Sequence, residues 1–227
     1  MENNTLVFAK RSLSLSKIQA GVGLGLASFG IFLIFALSLF AGSSSAPVFF
    51  ISVSLMTFGL LMFTMPVTLL YVYDKNNGVL EYLLSLGRNQ SDVFKQYLKS
   101  ALFLAVILFT CEGMGVLIAG AISGSTAVFL LDLLMMILTA FLGFSVVSLV
   151  TVAMMAFSSL QKQRVGANTP LGTAIGVPFI FPTFYLSFIG FIPELIVFLS
   201  LCILAAALSG SLLFLSSRLI RREKMLP

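Results

Sequence analysis

Six long apolar stretches constrain the fold of this chain more than any other feature of its sequence. They cover residues 18–41, 47–73, 100–122, 126–157, 171–190 and 194–217. Each has about 20 residues or more, which is the length that a helix needs to cross the hydrocarbon core of a bilayer. Only 9% of the residues are charged, whereas a typical soluble domain carries about 25%. The sequence therefore predicts an all-α membrane protein with six transmembrane helices in one domain, residues 1–227.

The lysines and arginines predict how these helices are oriented. All 13 of them lie before the first span, between the second and third, between the fourth and fifth, or after the sixth: Lys10, Arg11, Lys17; Lys75, Arg88, Lys95, Lys99; Lys162, Arg164; Arg218, Arg221, Arg222, Lys224. Cytoplasmic loops carry the excess of positive charge, so we expect both termini in the cytoplasm. The net charge of +5 then reflects topology and contact with lipid headgroups, not nucleic-acid binding.

The residue types that the sequence lacks exclude several kinds of enzyme. There is no histidine, so neither a Ser-His-Asp triad nor a histidine-ligated metal site can form. The two cysteines, Cys111 and Cys202, each lie within an apolar stretch, where we expect them to pack. We therefore expect no catalytic residue, no metal site and no cofactor bound by this chain.

Two acidic residues interrupt the apolar stretches. Glu112 lies in the middle of the third span, and Asp132 lies near the outer end of the fourth. An ionisable side chain at the bilayer centre costs about 2.5–3.5 kcal/mol on insertion scales, so such residues normally face a bundle interior or a cavity. A transport path that contains these acids and a purely structural role are both open at this stage.

Glycine and proline suggest where the helices approach each other and where they bend. Small residues four positions apart allow close helix packing, either within the bundle or between subunits; such pairs are Gly21 with Gly25, Gly120 with Gly124, and Gly172 with Gly176. Proline removes a backbone donor and kinks a helix. Pro178 and Pro182 therefore predict a kinked or re-entrant segment between spans five and six.

The loop between the second and third spans has its own helical pattern. Its residues 79–84 place apolar side chains on one face of a short helix. Asn77 or Gly78 can cap the start, and Gly87 is a typical stop. A second helix is expected to begin at Asn89 and to continue into the third span. The apolar face of the first helix needs either the lipid interface or a groove on another protein to cover it.

This loop resembles the first cytoplasmic loop of type-2, exporter-type ABC transporter permeases. Those loops read approximately acidic-x-x-x-Gly-(Thr/Ser/Val)-Leu-Glu-x-Leu-Leu, followed by a helix with lysine. The matching residues here are Asp74, Gly78, Val79, Leu80, Glu81, Leu83 and Leu84, with Lys95 or Lys99. The chain length, the six spans and the prolines of span five are also similar, especially to the haem-exporter B branch. Two features depart from the pattern: Gly87-Arg88 stands where proline is common, and residues 6–15 form only a weak amphipathic segment.

The resemblance implies that the short loop helix is a coupling helix, which docks in a cleft of a separate ATPase subunit. Leu80, Leu83 and Leu84 would fill that cleft, and Glu81 and Arg88 would fix the docking. The chain has no G-x-x-x-x-G-K-[ST] sequence to hold phosphates, so ATP would be bound by the partner. The expected complex contains two ATPase chains and two permease chains, as a homodimer or heterodimer, in the plasma membrane.

Two other classes of function remain open from the sequence. One is an ion-coupled transporter or channel that uses Glu112. The other is a non-transporting membrane scaffold or immunity protein. Lipid, haem, peptide or drug substrates would all suit an apolar bundle without an outer domain.

Overall fold

The computed structural model describes residues 4–40, 46–124 and 126–157, together with scattered helical residues between 196 and 214. All regular structure in these residues is helical. The six helices with continuous bounds are α1 (Asn4–Leu15), α2 (Lys17–Phe40), α3 (Ala46–Asn76), α4 (Val79–Ser85), α5 (Gln90–Ser123) and α6 (Thr126–Phe157).

Four of these helices, α2, α3, α5 and α6, are long and apolar enough to cross a membrane. They correspond to the first four predicted spans and differ from the predicted bounds by a few residues at most, except at the start of α5. That helix begins ten residues earlier than the predicted span because the second helix of the loop and the third span form one continuous helix. The fifth span, with Pro178 and Pro182, and most of the sixth lie outside the described residues.

Helices α2 and α3 cross closely because glycines stand at the crossing. A Cβ atom added to Gly23 would lie 2.6 Å from the backbone nitrogen of Phe63, and one added to Gly59 would lie 3.0 Å from the backbone nitrogen of Ala27. The predicted pair, Gly21 and Gly25, does not take part, since a Cβ at either position meets no atom within 4 Å. Because α2 is apolar all round, its sequence does not reveal which face packs.

Helices α5 and α6 pack in antiparallel directions. A Cβ added to Gly113 would lie 2.6 Å from the Cε atom of Met136, and one added to Gly120 would lie 3.0 Å from the ring of Phe129. Gly124, which was predicted to pair with Gly120, instead ends α5 in the left-handed conformation with φ of 64°. The predicted pair of Gly172 and Gly176 lies outside the described residues.

The buried apolar residues form two clusters. The first contains residues of α1 and α4 together with parts of α2, α3, α5 and α6, and we call this end of the bundle the loop end. The second lies between α2, α3, α5 and α6, farther from the loop. Every pair among α3, α5 and α6 is in direct contact, so the second cluster is enclosed by helices on several sides.

Candidate functional site

Helix α4 forms where the sequence predicts a short helix in the loop, and two glycines set its limits. Gly78 precedes it with φ of 71°, and Gly87 follows it with φ of 78°; both values lie in the left-handed region that favours glycine. At its end the amide of Gly87 donates to the carbonyl of Leu84 at 3.1 Å, and the amide of Arg88 donates to the carbonyl of Leu83 at 3.4 Å. These two bonds form a Schellman motif. The helix therefore begins and ends where the sequence predicts.

Two of the leucines that were expected to fill a partner's cleft lie on the inward face of α4. Leu80 is fully buried and Leu84 is 8% exposed, and both belong to the cluster at the loop end, with Leu83 packed against its edge. These side chains are covered by the chain itself because α4 lies against α3 and α5. Leu80 and Leu84 are therefore not free to fill a partner's cleft in this arrangement.

The outward surface of α4 still carries large apolar side chains. Tyr82 is 63% exposed and Leu86 is 61% exposed. We define the exposed α4 face as Glu81, Tyr82 and Ser85 of α4 together with Leu86 and Arg88 of the turn that follows it, all of which are exposed. Exposed apolar side chains rimmed by charged ones are typical of a surface that another molecule covers.

Helix α5 begins directly after α4, as expected. Asn89 is its N-cap, with extended backbone angles, and its side-chain oxygen accepts a hydrogen bond from the amide of Ser91 at 3.4 Å. Asp92 lies in the first turn, where a negative charge is favourable to the helix dipole. Only Leu86, Gly87, Arg88 and Asn89 separate α4 from α5, so the two helices form a tight hairpin.

Asp74, the acidic residue at the start of the motif, is the centre of a buried polar cluster. It is fully buried. Arg11 of α1 donates to its two carboxylate oxygens at 2.7 and 3.3 Å, and the hydroxyl of Tyr97 on α5 donates to it at 2.6 Å. Charge-assisted and two-pronged bonds of this kind are the strong ones in proteins. They compensate the carboxylate for its loss of water.

Aromatic rings and a backbone contact reinforce this cluster. The ring of Tyr97 lies edge to face with Phe8 at 5.0 Å and with Tyr71 at 5.2 Å between ring centres. The hydroxyl of Ser100 donates to the carbonyl of Thr5 at 3.3 Å. Helix α1 is thus attached to both α3 and α5 at the loop end. The weak amphipathic segment of the sequence is an ordered helix whose inner face is held by polar bonds as well as packing.

Sequence reasoning identified Asp74 but missed its partners, Arg11 and Tyr97. One signal was available: a single acid at the end of a long apolar helix needs a cation or several donors when it is buried. The sequence offers several such cations, at residues 10–17 and at residues 88–99, and only the fold selects Arg11. Arg11 and Asp74 thus meet at the loop end although they are 63 positions apart in the sequence.

The two intramembrane acids occupy separate places in the bundle. Glu112 is fully buried, and neither carboxylate oxygen has a hydrogen-bond partner in the described part of the chain. Asp132 is 4% exposed, and its carboxylate lies beside Gly120, about 3 Å from the position of an added Cβ. Since Gly120 is eight residues beyond Glu112, the acids are about 12 Å apart along the helix axis. Cys111 is exposed and does not pack inside the bundle.

No family model matches the chain, and neither a curated protein nor a solved structure matches it significantly.

Proposed function

We propose that this chain is the permease subunit of an ATP-driven ABC exporter, with six spans and cytoplasmic termini in the plasma membrane. It would work with a second permease chain and with separate ATPase subunits. The observation that carries the proposal is the exposed α4 face, which is apolar at its centre, charged at its rim and fixed at both ends by backbone structure. The loop motif from Asp74 to Arg88 adds the resemblance described above.

The docking role falls on different residues from those that the motif alone suggests. Tyr82 and Leu86 are the apolar side chains that a cleft could enclose, since they are the large exposed ones on the α4 face. Glu81 and Arg88 flank them and would pair with charges at the rim of the cleft. Leu80 and Leu84 instead pack α4 against the bundle. A displacement of α4 by a bound partner would therefore also displace the helices that it contacts.

The cluster around Asp74 gives the docking surface a rigid support. Arg11, Asp74 and Tyr97 connect α1, α3 and α5, and α4 packs against α3 and α5 at the same end of the bundle. A movement imposed on the exposed α4 face would therefore displace these helices together. Such a rigid-body shift is one of the established ways in which a local event changes a helical bundle.

Purification of the complex from the native membrane tests the proposal. The tagged chain should bring down a soluble protein that contains a G-x-x-x-x-G-K-[ST] sequence, and the complex should hydrolyse ATP. Leu86→Asp places a charge where we expect a buried contact. Loss of a central contact of this kind costs about 2 kcal/mol or more, which is about thirtyfold in Kd.

Ser14→Asp is the matched control, because Ser14 is exposed on α1 at the same end of the bundle and receives the same charge. It should leave the ATPase bound. If Leu86→Asp and Tyr82→Asp together also leave it bound, the α4 face is not the docking surface. Transport by the chain alone in liposomes, without ATP, would overturn the proposal as a whole.

A further inference from the structure

Three buried polar side chains on the helices that form the second apolar cluster have polar atoms without a hydrogen-bond partner in the part of the chain that the structure describes. They are Glu112 on α5, Thr57 on α3 and Thr139 on α6, and all three are fully buried. Both carboxylate oxygens of Glu112 and the hydroxyls of both threonines lack a hydrogen bond within the residues that the structure describes. Buried polar atoms normally have a partner, so three such side chains in one region need an explanation.

The three residues lie at nearly the same depth. Gly113 faces Met136 across α5 and α6, and Gly143 faces Leu60 across α6 and α3. The antiparallel pairing of α5 with α6 places Glu112 about two residues from the level of Thr139. The second contact places Thr57 about one residue from that level, since α3 and α6 run in the same direction. All three side chains therefore lie within about one helical turn, or 5 Å along the axis.

Each of the three residues lies on the face of its own helix that contributes apolar side chains to the second cluster. Thr57 lies between Val53 and Leu61 at four-residue spacing, and Glu112 precedes Val116 by the same interval. Residues at this spacing lie on one helix face. Thr139 precedes Leu142 and Val146 by three and seven residues and shares their face as well. The flanking residues Val53, Leu61, Val116, Leu142 and Val146 all belong to the second cluster.

Other threonines on these helices behave differently. The hydroxyls of Thr64 and Thr68 on α3 and of Thr110 on α5 donate to carbonyls three or four residues earlier in their own helices. This is the usual bond for threonine within a helix. Thr57 and Thr139 do not make it, so their oxygens are available to something else in the cluster.

An ionised Glu112 would need a counter-charge that α5 and α6 do not supply at this depth. The nearest lysine on its own helix is Lys99, and α6 contains neither lysine nor arginine. One carboxylate and two hydroxyl oxygens provide a single negative charge and neutral acceptors. That set suits a cation of one positive charge, because a divalent ion would retain an uncompensated charge in an apolar surrounding.

We propose that Glu112, Thr57 and Thr139 form an intramembrane binding site for a monovalent cationic group. Na⁺, K⁺ and a primary ammonium group share the required chemistry, and an ammonium group has three donors for the three side chains. The site is independent of an ATPase, so it stands or falls separately from the proposed transport function.

Binding to the full-length chain in detergent micelles tests the site. Radiolabelled sodium and radiolabelled methylammonium are the two probes, and unlabelled KCl competes against each; choline chloride serves as the control for ionic strength. At least one probe should bind saturably at one site per chain. Glu112→Gln should abolish this binding. Thr57→Val and Thr139→Val should each weaken it about tenfold or more, which is the effect of losing one bond to a charged group.

Thr110→Val is the matched control, since Thr110 is exposed on the same helix as Glu112 and should bind as the unaltered chain does. Circular dichroism verifies that each variant is folded. The ratio of sodium to methylammonium affinity distinguishes a metal ion from an ammonium group. Absence of saturable binding would overturn the proposal, and so would equal binding by Glu112→Gln. An infrared band of protonated carboxyl that only Glu112→Gln removes would also overturn it, because the acid would then be neutralised by a proton alone.

Discussion

Replacement of Tyr97 by phenylalanine removes one hydrogen bond and leaves the surrounding contacts in place. The hydroxyl of Tyr97 donates to the carboxylate of Asp74 at 2.6 Å, and both side chains are fully buried. Phenylalanine retains the ring contacts with Phe8 and Tyr71. A bond to a charged group contributes about 1.5–3 kcal/mol. We expect Tyr97→Phe to lower the free energy of unfolding by that amount, since the buried carboxylate of Asp74 loses a donor and retains its bonds to Arg11.

Unfolding by sodium dodecyl sulfate in mixed micelles, followed by circular dichroism, measures this change. Tyr82→Phe is the control, because Tyr82 is 63% exposed, and an exposed substitution should change stability by less than about 0.5 kcal/mol. A double-mutant cycle with Asp74→Asn should give a coupling energy between about 0.5 and 3 kcal/mol. Equal stabilities of Tyr97→Phe and Tyr82→Phe, or a coupling energy of zero, would show that the bond does not stabilise the loop end.

Three further substitutions test other parts of the structure. Arg11→Lys keeps the charge but loses the two-pronged bond to Asp74, so amide hydrogen exchange in α1 should accelerate about tenfold, equivalent to about 1.4 kcal/mol; an unchanged rate would contradict the role of Arg11. Gly23→Ala should destabilise the bundle by about 1–3 kcal/mol, because the added Cβ would collide with the backbone of α3. Gly21→Ala should leave the free energy of unfolding unchanged in the same unfolding assay. Gly87→Ala should cost about 1–2 kcal/mol, because a side chain is strained at φ of 78°, and a neutral result by thermal unfolding would argue against the left-handed stop of α4.

The sequence was sufficient to predict most helix limits. The fourth span, 126–157, coincides with α6, because a long apolar run determines a membrane helix with little help from tertiary structure. Gly87 was recognisable as the end of α4 for a similar reason, since a left-handed helix stop is a local requirement that glycine satisfies.

The orientation of helix faces was not predictable from the sequence. Leu80 and Leu84 look equally suited to a partner's cleft and to the chain's own core, and only the position of α4 against α3 and α5 decides between them. The same holds for the choice of Gly23 over Gly21 at the crossing with α3. The bond from Tyr97 to Asp74 joins residues 23 positions apart, and no local pattern specifies such a pairing.

The continuity of α5 has a mechanical consequence. From Gln90 to Glu112 the helix contains neither glycine nor proline, and its first glycine, Gly113, comes directly after the buried acid. This uninterrupted part is about 33 Å long at 1.5 Å per residue. It is a stiff rod that reaches from the loop hairpin to the depth of Glu112. A tilt of the hairpin by a few degrees would therefore displace Glu112 by about an ångström or more relative to Thr57 and Thr139. A displacement of that size is enough to make or break contacts with a bound cation.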